Sequence, residues 1–147
     1  STPTCSADLG PGAALPGLTE IHPGNYVYYD CMMADLGVCR EEDIAVRVLG
    51  RVVGHVAATG RLRVDLGWTA LSAQGAGRGY GRVLGRPELR LEALSQECGT
   101  VGPADPTRPL DLAAYPVGTL LQVLPHHACA ATAAHAEARA VAPDGET

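Results

Sequence analysis

The string Leu124-Pro125-His126-His127-Ala128-Cys129 places a histidine and a cysteine two residues apart, directly behind an apolar run that a proline ends. At that spacing both side chains can reach one Zn²⁺ where the backbone is extended or turning, one giving an imidazole and the other a thiolate. Two ligands do not close a structural site. The pattern therefore suits an open, catalytic type of centre completed by water and substrate. Taken alone the spacing is a weak signal, and a loop histidine beside a buried thiol is the commoner reading.

Other chemistry-bearing residues are weaker. Ser95-Gln96-Glu97-Cys98-Gly99 joins a carboxylate, a thiol and a glycine, but also reads as an ordinary strand-to-turn transition. Asp65 and the single tryptophan, Trp68, sit at a strand end, where a tryptophan more often anchors packing than binds substrate. Tyr26, Tyr28 and Tyr29 form a stripe that reads as half-buried packing. His22, His55 and His135 have no partner pattern and read as surface or loop residues. The glycines at 75, 77, 79 and 81 lack the G-x-G-x-x-G order of a dinucleotide loop. Glu41-Glu42-Asp43 reads as a solvated cap or turn.

The elements that must position these residues are mostly strands. Ile44, Val46 and Val48 alternate with Ala45, Arg47 and Leu49, and Val52-Val53 continues the run. After Thr59-Gly60 a second alternation over Leu62, Val64 and Leu66 predicts an antiparallel hairpin. Further strands are expected at Leu89–Leu94 and Val117–Leu124, the latter stopped by Pro125. A short one is signalled at Tyr26–Tyr29 after the His22-Pro23-Gly24-Asn25 turn. Cys31 to Arg40 reads as one helical turn or an irregular connection. Thr100 to Pro109 reads as a Pro-rich linker and Gln74 to Gly81 as loop. Alanine propensity favours a short helix from Ala128, with a weak strand at Glu137 to Val141. The fold class is mainly β and antiparallel, barrel-like or half of a sandwich.

Composition narrows the function. The 147 residues are 46% hydrophobic with a mean hydropathy of +0.05, enough to bury a core in one domain. All 11 basic residues are arginine, so no lysine in this sequence can form a Schiff base or a P-loop contact. With a net charge of -5 and the arginines scattered along the sequence, a nucleic-acid surface is not expected. No apolar run approaches the roughly 20 residues that cross a bilayer, and no signal peptide is visible. Five cysteines without framework spacing fit reduced thiols in a cytoplasmic protein.

Taken in order, five blocks resemble the C-terminal part of the D-serine dehydratase and D-threonine aldolase family, pyridoxal-phosphate enzymes of the alanine-racemase fold type. They are Ser1-Thr2-Pro3-Thr4, the stretch from Leu18 to Asp30, Asp65 to Ser72, Ser95 to Gly99, and Leu124 to Thr132. The resemblance implies a full enzyme in which a (β/α)₈ barrel holds the cofactor on a lysine and a C-terminal β domain closes over it. Residues 1–25 then look like the end of a truncated barrel, and residues 26–147 like the β domain without its last strand. The family's metal pair maps onto His127 and Cys129. Histidine with cysteine looks like the dehydratase branch, since the aldolase branch is expected to carry aspartate in place of the cysteine.

On this resemblance the reaction is D-serine to pyruvate and ammonia, with Zn²⁺ as Lewis acid on the β-hydroxyl, in a cytoplasmic homodimer. Ser1, Thr2, Thr4 and Tyr26 lie in the region that approaches the cofactor. Two departures stand out. The Schiff-base lysine must lie outside these residues, so the chain by itself is expected to be inactive. Cys98 replaces the histidine of the family's Gln-Glu-His-Gly block. A non-catalytic remnant that binds a partner or metal, and a D-threonine aldolase-like lyase, are the alternatives.

Overall fold

The computed structural model describes Thr19 and residues 24–142. Ser1, Thr2 and Thr4 lie outside the described residues, as do Cys5 and His22. Six strands, β1 (Val48–Val56), β2 (Arg61–Val64), β3 (Gly81–Val83), β4 (Leu89–Leu94), β5 (Gly99–Pro103) and β6 (Leu120–Pro125), form one sheet. Its order is β3-β6-β1-β2-β5-β4, and every recorded strand pairing is antiparallel. The outer strands β3 and β4 lean on each other without pairing, so the sheet curls into a nearly closed barrel.

Alternation builds this core. β1 buries Val48 and Val52 and exposes Leu49, Arg51 and Val53, while β2 buries Leu62 and Val64. Leu91, Val101, Leu121 and Val123 complete the barrel interior. A smaller cluster of Cys31, Ile44 and Leu124 lies beneath the helix α1 (Cys31–Asp35). Two further short helices are α2 (Trp68–Leu71) and α3 (Ala128–Thr132). No helix among the described residues is long and apolar enough to cross a membrane.

The hairpin of β1 and β2, the strand β4 and the helical turn at Cys31 are found, but β1 begins at Val48 and not at Ile44. The final strand runs Leu120–Pro125, since Val117 and Gly118 form a turn. Four expectations are corrected. Tyr26–Tyr29 is no strand: Asn25–Val27 is a 3₁₀ turn whose Asn25 carbonyl accepts from the amides of Tyr28 and Tyr29. Thr100–Pro109 is no linker throughout, because Gly99–Pro103 is an inner strand flanked by β2 and β4. A Cβ at Gly102 would meet the carboxylate end of Glu92, a flexible side chain that can move aside. Gly81, read as the end of the Gln74–Gly81 loop, instead opens β3, which pairs with β6. Glu137–Val141 forms no strand; these residues are exposed and have no burial to reward an alternating pattern.

Candidate active-site face

β6 delivers the histidine–cysteine motif. Pro125 ends the strand opposite Gly81, His126 turns the chain, and His127 becomes the N-cap of α3 with extended backbone (φ −134°, ψ 113°). Cys129 follows in the first turn of α3, with its residue exposed. The two adjacent histidines differ in environment. His126 is buried beneath the loop at Gly75, and its amide donates to the Tyr80 carbonyl at 3.0 Å. Burial holds its imidazole below the usual histidine pKa, although the Asp30 carboxyl opposes the shift.

His127 faces a different partner. Its Nδ1 lies 3.1 Å from Oδ2 of Asp30, whose side chain is fully buried, while the His127 side chain keeps 21% of its exposure. The same oxygen accepts from Asn25 Nδ2 at 2.6 Å and from the Ala128 amide at 2.8 Å. Oδ1 accepts from the Met33 amide at 2.9 Å. Asp30 thus caps α1 in the usual way and also binds the first amide of α3, joining two helix starts.

The other sequence blocks meet beside this motif. α2 packs against α3, and the His135 Nε2 sits 3.1 Å from the Ala70 carbonyl. The Trp68 amide donates to the Ser95 carbonyl at 2.9 Å, and Thr69 Oγ1 lies 2.8 Å from the Gln96 carbonyl and 3.1 Å from Glu97 Oε2. Trp68 is 45% exposed, so it presents its ring outward and not into the core. Tyr26 is also exposed. His55 and His135, read as surface or loop residues, are both exposed, and their Nε2 atoms lie 2.7 and 3.1 Å from the carbonyls of Tyr115 and Ala70.

Among the described residues no group of three or more His, Cys, Asp and Glu side chains could hold a metal ion, so Cys98 does not join His127 and Cys129 as a third ligand. The pair fits only an open site. His127 suits it, because a ring held at Nδ1 leaves Nε2 as the available donor, and Cys129 suits it through its exposure. The sequence missed Asp30 and Asn25 as site residues. The one local signal was an aspartate immediately before a helical turn.

Residues 45–141 match the family described as "Putative serine dehydratase domain". The D-threo-3-hydroxyaspartate dehydratase of Delftia sp. (strain HT23) is 41% identical over 99% of this chain and 40% of its own length. The D-serine dehydratase of Dictyostelium discoideum is 32% identical over 99% of this chain and 39% of its own. The chain therefore spans about two fifths of the length of these curated relatives. Among solved structures, a D-threo-3-hydroxyaspartate dehydratase cysteine-to-alanine variant in the metal-free form superposes with a TM-score of 0.80. It is 40% identical and covers 90% of this chain and 38% of its own. The D-threonine aldolase of Filomicrobium marinum gives a TM-score of 0.57 at 25% identity, covering 77% of this chain and 29% of its own.

Proposed function

The chain belongs to the serine dehydratase domain family, and from that premise we propose that it is the β domain of a dehydratase acting on a D-configured β-hydroxy amino acid. In this reading D-serine eliminates water, and the enamine product takes water back on hydrolysis to pyruvate and ammonia. Residues 26–147 form the β domain and residues 1–25 belong with the barrel. The observation that carries the proposal is the arrangement at the end of β6: an imidazole held through Nδ1, with an exposed thiol two residues on. A solved relative supports it, since its metal-free form is a cysteine-to-alanine variant, and a second variant replaces a histidine two positions earlier.

Hydroxide is a poor leaving group, and departure from a β-carbon needs its charge neutralised as the bond breaks. Zn²⁺ held by His127 Nε2 and Cys129 Sγ would supply that Lewis acidity. The chain's own contribution is placement. Asp30 keeps the ring from rotating, α3 sets the thiol one half-turn further, and α2 with the Ser95–Gly99 turn walls that side of the face. Pyridoxal phosphate fits the family resemblance, but these 147 residues hold no lysine for it. No step through the cofactor is assigned to this chain. A homodimer in the cytoplasm completes the reading.

The 41% identity to the D-threo-3-hydroxyaspartate enzyme, against 32% to the D-serine enzyme, favours a second substrate with an added carboxylate. Full-length protein should be assayed with D-serine for pyruvate, with D-threo-3-hydroxyaspartate for oxaloacetate, and with D-threonine for glycine and acetaldehyde. Keto acid and ammonia from either of the first two, abolished in His127→Ala and Cys129→Ala, is the expected result. Cleavage of D-threonine alone, or full rate in both variants, overturns it.

A further inference from the structure

Asp30 lies 97 residues from His127 in sequence, is completely buried, and contacts the partly exposed His127 side chain through Nδ1, leaving Nε2 as the other ring nitrogen. A carboxylate can only accept hydrogen bonds. Its Oδ2 already collects N–H donors from Asn25 and Ala128, and the third group in that ring of donors is His127 Nδ1. The neutral imidazole therefore carries its proton on Nδ1 and keeps the lone pair on Nε2. Were the tautomer reversed, two acceptors would face each other at 3.1 Å inside a buried cluster, leaving Nε2 protonated and unable to ligate.

We propose that Asp30 is a positioning residue, which sets the tautomer and ring orientation of His127 for metal and ties that ligand to the Asn25–Tyr29 segment. The inference rests on the reading of His127 and Cys129 as the metal pair and adds to it a residue that touches neither metal nor substrate. A carboxylate behind a ligating histidine raises its basicity and fixes its direction, and loss of such a partner weakens metal binding about 10- to 100-fold. Asp30 differs from an ordinary helix cap in this respect. A cap needs only Oδ1 and the Met33 amide, whereas the histidine and the start of α3 occupy the other oxygen.

The tautomer is read first in the unsubstituted, metal-free full-length protein, by long-range ¹H–¹⁵N correlation of the His127 ring. A neutral ring protonated on Nδ1 is expected, and a dominant Nε2–H form overturns the inference whatever the variants do. Co²⁺ titrations of Asp30→Asn, His127→Ala and Cys129→Ala then follow, scored by metal affinity and by the thiolate-to-cobalt absorption band. Asp30→Asn should bind Co²⁺ about 10- to 100-fold more weakly than the parent while regaining the band at saturation. The two ligand variants should lose the band. Parent-like affinity in Asp30→Asn, with both ligand variants defective, refutes the role of Asp30 and leaves the metal pair standing. Parent-like Co²⁺ binding in His127→Ala and Cys129→Ala refutes the metal pair, and the inference with it.

Discussion

Gly67 rests on the carbonyl of Gln96: a Cβ added at Gly67 would land on that oxygen. This contact seats the first turn of α2 on the Ser95–Gly99 turn, and the Trp68 and Thr69 amides bond the same segment. Gly67→Ala must separate the two pieces, because a backbone atom cannot rotate aside as a flexible side chain can. The expected loss is about 1–3 kcal/mol, in the range of overpacked sites. Chemical denaturation measures it, and a cost under about 0.5 kcal/mol would show that the contact yields freely.

Gly75 has a comparable role nearer the proposed metal pair, with an added constraint. Its φ is +81°, and a Cβ there would fall within the His126 ring. Gly75→Ala therefore carries both left-handed strain and a clash. We expect about 2–4 kcal/mol of destabilisation by these combined effects. A drop in Co²⁺ affinity should accompany it, because His126 and His127 are consecutive. Leu62→Ala is the control: it empties a fully buried position inside the barrel, should cost about 2–5 kcal/mol, and should leave the affinity of the remaining folded protein unchanged.

The strands that alternation revealed are those whose partners tolerate ordinary side chains. β2 and β4 carry valine or leucine on the buried face and arginine or glutamate on the other. β1 and β6 bury alternate residues (Val48 and Val52, Leu121 and Val123), although Leu49, Val53 and Leu120 face outward. β3 and β5 were hidden because close approach puts glycine inside them. A Cβ at Gly81 would meet the Leu124 carbonyl, and one at Gly99 the Leu66 carbonyl. Glycine read along the sequence signals a turn; read in space, it signals a neighbour. The proposed metal pair was visible as a weak motif that the family resemblance sharpened. Asp30 was not visible as its partner, since nothing local reports a hydrogen bond that spans 97 residues.

Cys31 links stability to alkaline pH. Burial is the main cause that pushes its thiol up to about 11 from 9.0, and its Sγ–H donates to the Leu124 carbonyl at 3.3 Å. Since the folded value lies above the unfolded one, the neutral thiol's contribution is complete below pH 9 and is lost as pH rises toward 11. Two pH units correspond to about 2–3 kcal/mol. Cys31→Ser, which keeps a donor for Leu124, should show a shallower decline than the parent across that interval in urea titrations. Parallel curves would mean that Cys31 is ionised as easily in the fold as out of it. Thiol reagents give a second check: exposed Cys129 should react in the native protein, and buried Cys31 only on unfolding.

Metal should also stabilise the fold, because its proposed ligands sit on an element that packing alone holds weakly. α3 has five residues, too few to persist without tertiary support. That support comes from Ala128 and Ala131, from Asp30 at the first amide, and from α2 alongside. An ion bridging the N-cap His127 and Cys129 in the first turn would bind the folded state and not the unfolded one. Free ion at about 100 times its dissociation constant then adds about 2.7 kcal/mol. Zn²⁺ should accordingly raise the melting temperature of the full-length protein, and a chelator should return it to its starting value. His127→Ala and Cys129→Ala should melt at the same temperature with or without the ion. An equal rise in parent and variants would place the binding elsewhere, and no rise in the parent would mean that the pair does not hold the ion in the folded state.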